Sequence, residues 1–159
     1  MSSKSHRTAG VKSRPRAKPV DLSTARRMLP LVLRIAHDIV QDQRELDKFS
    51  FELEGLDRDK RNLSWPERER RYAVQGEVAR LQSRLEEQKK ELDQIGAVLA
   101  DPSSGQVDFP TLLNGRAAFY SWRVGENTVE YWHFDGETAR RPIPASWSEG
   151  HSGRLVSLR

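Results

Sequence analysis

The sequence predicts a mainly helical α+β protein: a long antiparallel helical hairpin of coiled-coil type, then a small β-hairpin or three-stranded meander. Three observations predict this fold class. Apolar residues recur at three- and four-residue steps as far as residue 99, the period then changes to two, and the N-terminus is basic with almost nothing apolar. The predicted organisation is a disordered basic tail over 1–20, an ordered part over 21–144 with helices at about 22–100 and strands at about 106–135, and an irregular C-terminal tail over 145–159.

The composition limits the classes of protein to consider. Hydrophobic residues make up 36% of the 159 and charged residues 31%, so the core is thin for the length, as in long two-helix packing. The absence of cysteine excludes disulfides and thiolate metal sites. No apolar run approaches the roughly 18–20 residues that cross a bilayer, and no signal-peptide stretch opens the chain. We therefore expect a cytoplasmic protein with no membrane partner.

The basic character of the chain belongs to its first 19 residues. They hold six of the 27 basic residues and no acid, whereas the other 140 residues hold 21 basic and 23 acidic side chains. The six are Lys4, Arg7, Lys12, Arg14, Arg16 and Lys18. With so little to bury, this segment is predicted to be disordered. It is either a solubilising tail or an arm that binds the phosphates of nucleic acid.

The first helix is predicted from "VDLSTARRMLPLVLRIAHDIVQ". Asp21 or Ser23 can cap its first turn, and Pro30 interrupts its backbone hydrogen bonding. We expect either a short helix near 22–28 and a longer one from about Leu29, or one helix kinked there. The apolar stripe beyond the proline consists of Val32, Ile35, Ala36, Ile39, Leu46, Phe49, Leu53 and Leu56. "SWP" then marks a turn between about 59 and 65, with Ser64 opening the next helix.

The second helix carries a heptad pattern. One series is Val74, Leu81, Gln88 and Ile95, and the other is Val78, Leu85, Leu92 and Leu99. Gln88 would set the register of this seam at some cost in stability. The helix is predicted to end at "DPSSG". Two helices cannot shield both apolar stripes well, so either the C-terminal region or a second subunit covers the rest. Because the seam is longer than a small meander can cover, the pattern predicts a second copy of the chain or another helical protein as partner.

A β-hairpin is predicted from "RAAFYSWRV" and "TVEYWHF", which flank "GEN", and "QVDFP" can add a third strand. With Glu126-Asn127 as the turn, four pairs face each other: Arg123 with Glu130, Phe119 with Phe134, Trp122 with Tyr131, and Tyr120 with His133. This register places Tyr120, Trp122, Tyr131 and His133 on one face, with Asp135 beside them.

The motifs "GQVDFP", "NGR", "SWRVGE", "VEYWH" and "RRPI" resemble, in order and spacing, an uncharacterised prokaryotic family catalogued as domain of unknown function 2203. The segment "STARRMLPLVLRI" is similar to the N-terminal helix of that family, and the resemblance covers about residues 20 to 144. The segment between Trp-His and Arg-x-Pro, "FDGETA", is shorter here than is typical of the family. The resemblance supports the architecture and implies no activity.

The aromatic face has several interpretations. It can pack against the helical hairpin, with its polar tips satisfied. It can also bind a partner or ligand through Tyr120, Trp122, Arg123, Tyr131, His133 and Arg141. Asp108 and Arg116 flank the same region. A His with a carboxylate nearby can act as a general base, but no nucleophile motif or phosphate-binding glycine loop accompanies it. No catalytic residue or cofactor is therefore predicted, and no metal site is predicted because the four histidines are scattered.

Three functions remain open at this stage. The leading one is a non-enzymatic, self-associating coiled-coil adaptor. The alternative is a nucleic-acid-associated factor, in which the basic arm supplies salt-dependent affinity and Tyr120, Trp122 or Tyr131 stacks on bases. The third is an enzyme or small-ligand binder that uses His133 on the aromatic face.

Overall fold

The computed structural model describes residues 18–149, so all but the last three residues of the predicted basic tail, and residues 150–159, lie outside it. The elements are α1 (Leu22–Arg58), α2 (Trp65–Gln94), β1 (Val98–Asp101), β2 (Gln106–Leu113), β3 (Arg116–Trp122), β4 (Tyr131–Phe134), β5 (Arg141–Pro142) and a 3-10 helix (Ala145–Glu149). The mainly helical α+β class is confirmed, and the sheet has five strands rather than two or three. No helix among the described residues is long and apolar enough to cross a membrane.

Helix α1 continues through Pro30 as a single element, which decides between the two arrangements that the sequence allowed. Its first turn is capped by Asp21, whose Oδ1 accepts a hydrogen bond from the backbone N–H of Thr24 at 2.7 Å. The proline lacks a backbone donor. Its neighbours Leu29 and Val32 are buried in the core, so tertiary packing holds the helix together at this point.

Helix α2 begins where the sequence predicted. Ser64 is the N-cap, and its backbone N–H donates to Oε2 of Glu67 at 2.7 Å in a capping box. Pro66 lies in the first turn, where no intrahelical partner is needed for its missing N–H. The connection between the two helices is therefore residues 59–64.

The end of α2 differs from the prediction of a helix to about residue 100. Gly96 has a φ of +87°, and the backbone N–H of Ala97 donates to the carbonyl of Leu92 at 2.9 Å. With the bond from Gly96 N–H to the carbonyl of Asp93, this is a Schellman motif, which terminates the helix at Gln94. Leu99, which continued the heptad series in the sequence, lies in β1 instead.

The five strands form one antiparallel meander in the order β1-β2-β3-β4-β5. In the β3–β4 pair, Tyr120 lies opposite Trp132 and Phe119 opposite His133. The predicted register, with Tyr120 opposite His133, is wrong by one residue. Eight residues separate the two strands, and the indole Nε1 of Trp122 donates to the carbonyl of Glu126 at 2.9 Å across this loop. The assumed tight turn at Glu126-Asn127 is therefore absent, and with it the register that the turn implied.

The core lies between the first half of α1 and one face of the sheet, which we call the inner face. It contains Leu22, Ala25, Leu29, Val32, Ala36 and Ile39 from α1, and Val107, Phe109, Leu113, Ala118, Tyr120, Trp122 and Trp132 from the strands. No residue from 40 to 84 belongs to this cluster. Beyond the sheet the two helices pack mainly on each other, and we call residues 43–84 the arm. Its α1 portion, 43–58, is about 24 Å long.

Candidate functional site

The predicted interaction face is divided between the two faces of the sheet. Tyr120 and Trp122 point to the inner face together with Trp132, whereas Tyr131 and His133 point to the opposite, outer face. The cause is the one-residue difference in register, because side chains alternate along a strand and a slip of one moves every side chain to the other face. The six residues therefore form no common surface.

The aromatic residues of the inner face are closed to solvent. Trp122 is 0% exposed, and its indole hydrogen bond to Glu126 satisfies its polar tip. Tyr120 is also buried, and burial raises the pKa of its phenol above the ordinary value, while a hydrogen bond with the Thr111 side chain acts in the opposite direction. These two side chains pack in the core, which is one of the interpretations that the sequence allowed.

The outer face carries a buried polar pair. Nε2 of His133 lies 2.8 Å from Oδ2 of Asp108, and Nδ1 of the same ring lies 2.9 Å from the carbonyl oxygen of Phe134. The two side chains are only 8% and 7% exposed. Phe119 stacks on the imidazole with ring centroids 5.3 Å apart. The carboxylate that meets His133 is thus Asp108 on β2, rather than the Asp135 suggested by the sequence.

A chain of hydrogen bonds continues from this pair to the β3–β4 loop. Gln106 donates its amide to Asp108 at 3.1 Å and accepts from Nε of Arg123 at 3.0 Å. The backbone N–H of Arg123 in turn donates to Oε1 of Glu126 at 3.0 Å. This chain fixes the start of the β3–β4 loop to β2.

Arg140, which no sequence argument singled out, closes the network. Its Nη2 lies 2.7 and 3.0 Å from the carboxylate oxygens of Glu126, and its Nε donates to Oγ of Ser121 at 3.0 Å. Its guanidinium also lies over the ring of Tyr131, 4.3 Å from the centroid. The Arg140 and Glu126 side chains are 9% and 18% exposed, so this ion pair is largely buried. No local pattern signals it, since the partners are 14 and 19 residues away.

Arg141 lies at the open edge of the sheet. It pairs with Glu137 at 3.1 Å, and its guanidinium carbon is 4.9 Å from the ring centroid of Trp132. Arg116 lies over Phe134 at 3.8 Å. Of the predicted residues, Arg123 and Arg141 are exposed. Of the six basic residues of the tail, Lys18 is described and exposed, and Lys4, Arg7, Lys12, Arg14 and Arg16 lie outside the described residues.

The arm is the second candidate surface. Ion pairs join its helices: Arg70 with Glu52 at 2.6 Å, Arg71 with Asp57 at 2.7 Å, and Arg84 with Asp42 at 3.3 Å. Within its apolar seam Val74 and Leu81 are fully buried, whereas the side chains Leu46, Phe49, Leu53, Leu56 and Val78 are only half-buried. The arm also holds two of the most exposed large hydrophobic side chains, Phe51 and Tyr72, each 75% exposed. At the base of the arm, a groove of about 460 Å³ has Leu46, Leu85 and Leu99 among its lining residues.

Metal chemistry has no candidate centre within residues 18–149, where no three His, Asp or Glu side chains come close enough to hold an ion. The His133–Asp108 pair is largely buried, so little of either side chain is accessible to a substrate.

Comparison with known proteins identifies a family and nothing more specific. A family model described as "Uncharacterized conserved protein (DUF2203)" matches residues 19–143. No curated protein and no solved structure matches the chain. Since the matched region covers most of the 159 residues, including both helices and all five strands, the chain belongs to the DUF2203 family.

Proposed function

We propose that the protein is a non-enzymatic cytoplasmic adaptor that self-associates through its arm, as a homodimer. The observation that carries this proposal is the placement of Phe51 and Tyr72. The ion pair between Glu52 and Arg70 joins the turns that bear them, so both aromatic side chains lie at one level of the arm. Exposed aromatic side chains on a helical element are typical of binding surfaces.

The half-buried seam supports the same conclusion. A pair of helices covers its apolar stripe from one side only, and a bundle of four covers it from several. Leu46, Leu53 and Val78 thus retain accessible apolar area that a second pair of helices would remove from water. Burial of apolar area contributes about 25 cal/mol per Å².

Charge distribution favours a second copy as the occupant. Residues 41–58 of α1 carry six acidic and three basic side chains, and residues 65–84 of α2 carry three acidic and five basic. When two arms pack antiparallel about a two-fold axis, the acidic helix of one copy lies beside the basic helix of the other. The two-fold axis makes this complementarity reciprocal, because each copy offers the same patch.

Sedimentation of the full-length chain over a wide concentration range tests the proposal. We expect a dimer, and we expect Phe51→Glu together with Tyr72→Glu to shift it towards monomer. Both side chains are exposed, so the variant should retain its circular dichroism spectrum, and its melting temperature should fall only by the stabilisation that dimer formation supplied. The control is Leu112→Glu, which places one such charge at an exposed apolar position of the sheet, away from the arm. A wild-type chain that sediments as a monomer throughout would contradict the proposal.

The nucleic-acid alternative depends on the basic tail, most of which lies outside the described residues, and it stays a prediction. Its aromatic component is weakened by burial, since Tyr120 and Trp122 have no free face on which a base could stack.

A further inference from the structure

The imidazole of His133 has an oxygen acceptor at each of its nitrogens. The carboxylate Oδ2 of Asp108 lies 2.8 Å from Nε2, and the carbonyl of Phe134 lies 2.9 Å from Nδ1. Turning the ring over would place carbon atoms at both contacts, so this orientation is the one that the site favours. A neutral imidazole has one N–H and can donate to only one of the two oxygens.

We infer that the His133–Asp108 pair is a proton-controlled latch, which ties β4 to β2 across β3 when the imidazole carries both protons and releases β4 when one is lost. This inference concerns the sheet and does not depend on self-association through the arm. In the protonated state both hydrogen bonds form, and the one to the carboxylate is charge-assisted. After loss of a proton, a bare ring nitrogen faces an oxygen lone pair in a site closed to water, which is unfavourable.

Besides the latch, β4 is attached by the pairing of its four residues with β3 and by Trp132, which is buried in the core. Strand β4 has four residues, and the two-residue strand β5 pairs only with it. Trp147 of the 3-10 helix packs on Trp132 of β4, with ring centroids 5.5 Å apart. Weaker attachment of β4 would therefore be transmitted to β5 and the 3-10 helix, while Arg140 still ties the intervening loop to Ser121 and Glu126.

The charged groups around the pair set the direction of the pH response. From β2, the acid Asp108 contacts the ring of His133. The neighbouring residues of β3, Phe119 and Ser121, are uncharged, and Tyr131 is the other β4 residue on this face. From the neighbouring loops, Arg140 is paired with Glu126, and a carboxylate oxygen of Glu137 accepts from the N–H of Phe134 at 3.3 Å. Arg123 reaches Asp108 through Gln106. The latch is thus closed while the imidazole is protonated and Asp108 ionised, and it opens as pH rises past loss of the ring proton.

Two measurements on the full-length chain test the latch. Long-range ¹H–¹⁵N spectra report how many ring nitrogens of His133 carry protons at each pH, and hydrogen exchange reports the protection of each segment. We expect loss of the second ring proton to coincide with a fall of at least tenfold in the protection factors of residues 131–143. Protection factors in the arm should not change. Unchanged protection of 131–143 through the ring titration would overturn the inference, as would a ring that carries a single proton at every pH where the chain is folded.

The variant Asp108→Asn sharpens the test. Its amide N–H can donate to a bare Nε2, so the neutral ring is satisfied at both nitrogens and the pH response of residues 131–143 should disappear. Glu137→Gln removes a nearby carboxylate outside the latch, and this control should keep the response. A persistent response in Asp108→Asn would contradict the latch. If that variant does not fold, the wild-type measurement decides alone.

Discussion

The side-chain amide of Gln88 on α2 donates a hydrogen bond to Oδ2 of Asp42 on α1 at 2.9 Å, inside the seam of the helical hairpin. Arg84 meets the same carboxylate oxygen at 3.3 Å, and Asp42 is buried. The Oε1 atom of Gln88 is itself buried without a hydrogen-bond partner. A polar contact of this kind specifies how two helices align and contributes little net stability.

Substitutions at this contact should separate alignment from stability. Asp42→Ala leaves the amide of Gln88 unpaired, and we expect the free energy of unfolding to fall by about 1–3 kcal/mol. Replacing both residues by leucine removes the buried polar groups of the pair, and the half-exposed Arg84 can be hydrated, so Asp42→Leu with Gln88→Leu should be at least as stable as the wild type. Urea denaturation measures both differences. A double variant less stable than the wild type would show that the pair itself is a net source of stability.

Gly105 is the point where the β1–β2 turn meets both α1 and the β3–β4 loop. Its φ is +67°, and a Cβ atom there would lie 2.5 Å from Cγ2 of Val124 and 2.8 Å from Cγ2 of Val40. We expect Gly105→Ala to lower the free energy of unfolding by about 2–4 kcal/mol, through backbone strain and overcrowding together. Gly115→Ala is the control, because its φ of +76° is similar and nothing lies within 4 Å of the added atom. Equal losses in the two variants would mean that the contacts at Gly105 are easily relaxed.

The parts of the fold that follow from local chemistry were predictable. Asp21, Ser64 and the apolar stripes gave the helix starts and the hairpin, because caps and periodicity act within a few residues. The end of α2 was missed because Leu99 prolongs the heptad pattern, whereas Gly96, in the left-handed conformation, ends the helix at Gln94. One conformational feature of the backbone outweighed a continuing apolar pattern.

The arrangement of the sheet depended on contacts that the sequence does not display. "GEN" looks like a tight turn, but the bond from Trp122 to the carbonyl of Glu126 closes a longer loop and shifts the register by one. The position of Arg140 depends on Ser121 and Glu126, both distant in the chain. The candidate site was therefore predicted as a set of residues, and its division between two faces was not.

Arg140 should contribute more to stability than its neighbour Arg141. Arg140→Met leaves the largely buried carboxylate of Glu126 without its guanidinium, at an expected loss of about 3 kcal/mol. Arg141→Met breaks an exposed pair with Glu137 and a contact with Trp132, and should cost no more than about 1 kcal/mol. Thermal or chemical denaturation compares the two. A loss at Arg141 equal to that at Arg140 would contradict this ranking.

The cap of α1 predicts a pH dependence. Hydrogen bonds from the side chain and then the backbone of Thr24 hold the pKa of Asp21 below its ordinary value. A lowered pKa in the folded state means that the stabilisation is complete above the unfolded-state value and is lost as pH falls through the folded-state value. The free energy of unfolding of Asp21→Ala should therefore be about 1 kcal/mol below that of the wild type at neutral pH, and the two should differ little in strong acid. Urea denaturation at a series of pH values measures this difference. A difference that persists at about pH 2 would show that the carboxylate charge is not the cause.

The tail can be tested separately from the arm. In a matched variant of the full-length chain, the six basic residues of the tail become serine. A differently tagged copy of the chain should be recovered by both versions, at low and at high salt, because association through an apolar seam does not depend on tail charges. Six phosphate contacts would instead make nucleic-acid binding about 10³-fold weaker between roughly 50 and 200 mM salt. Nucleic acid recovered only with the basic tail and only at low salt would therefore support the nucleic-acid alternative. Loss of the tagged copy in the serine variant would show that association depends on the tail rather than on the arm.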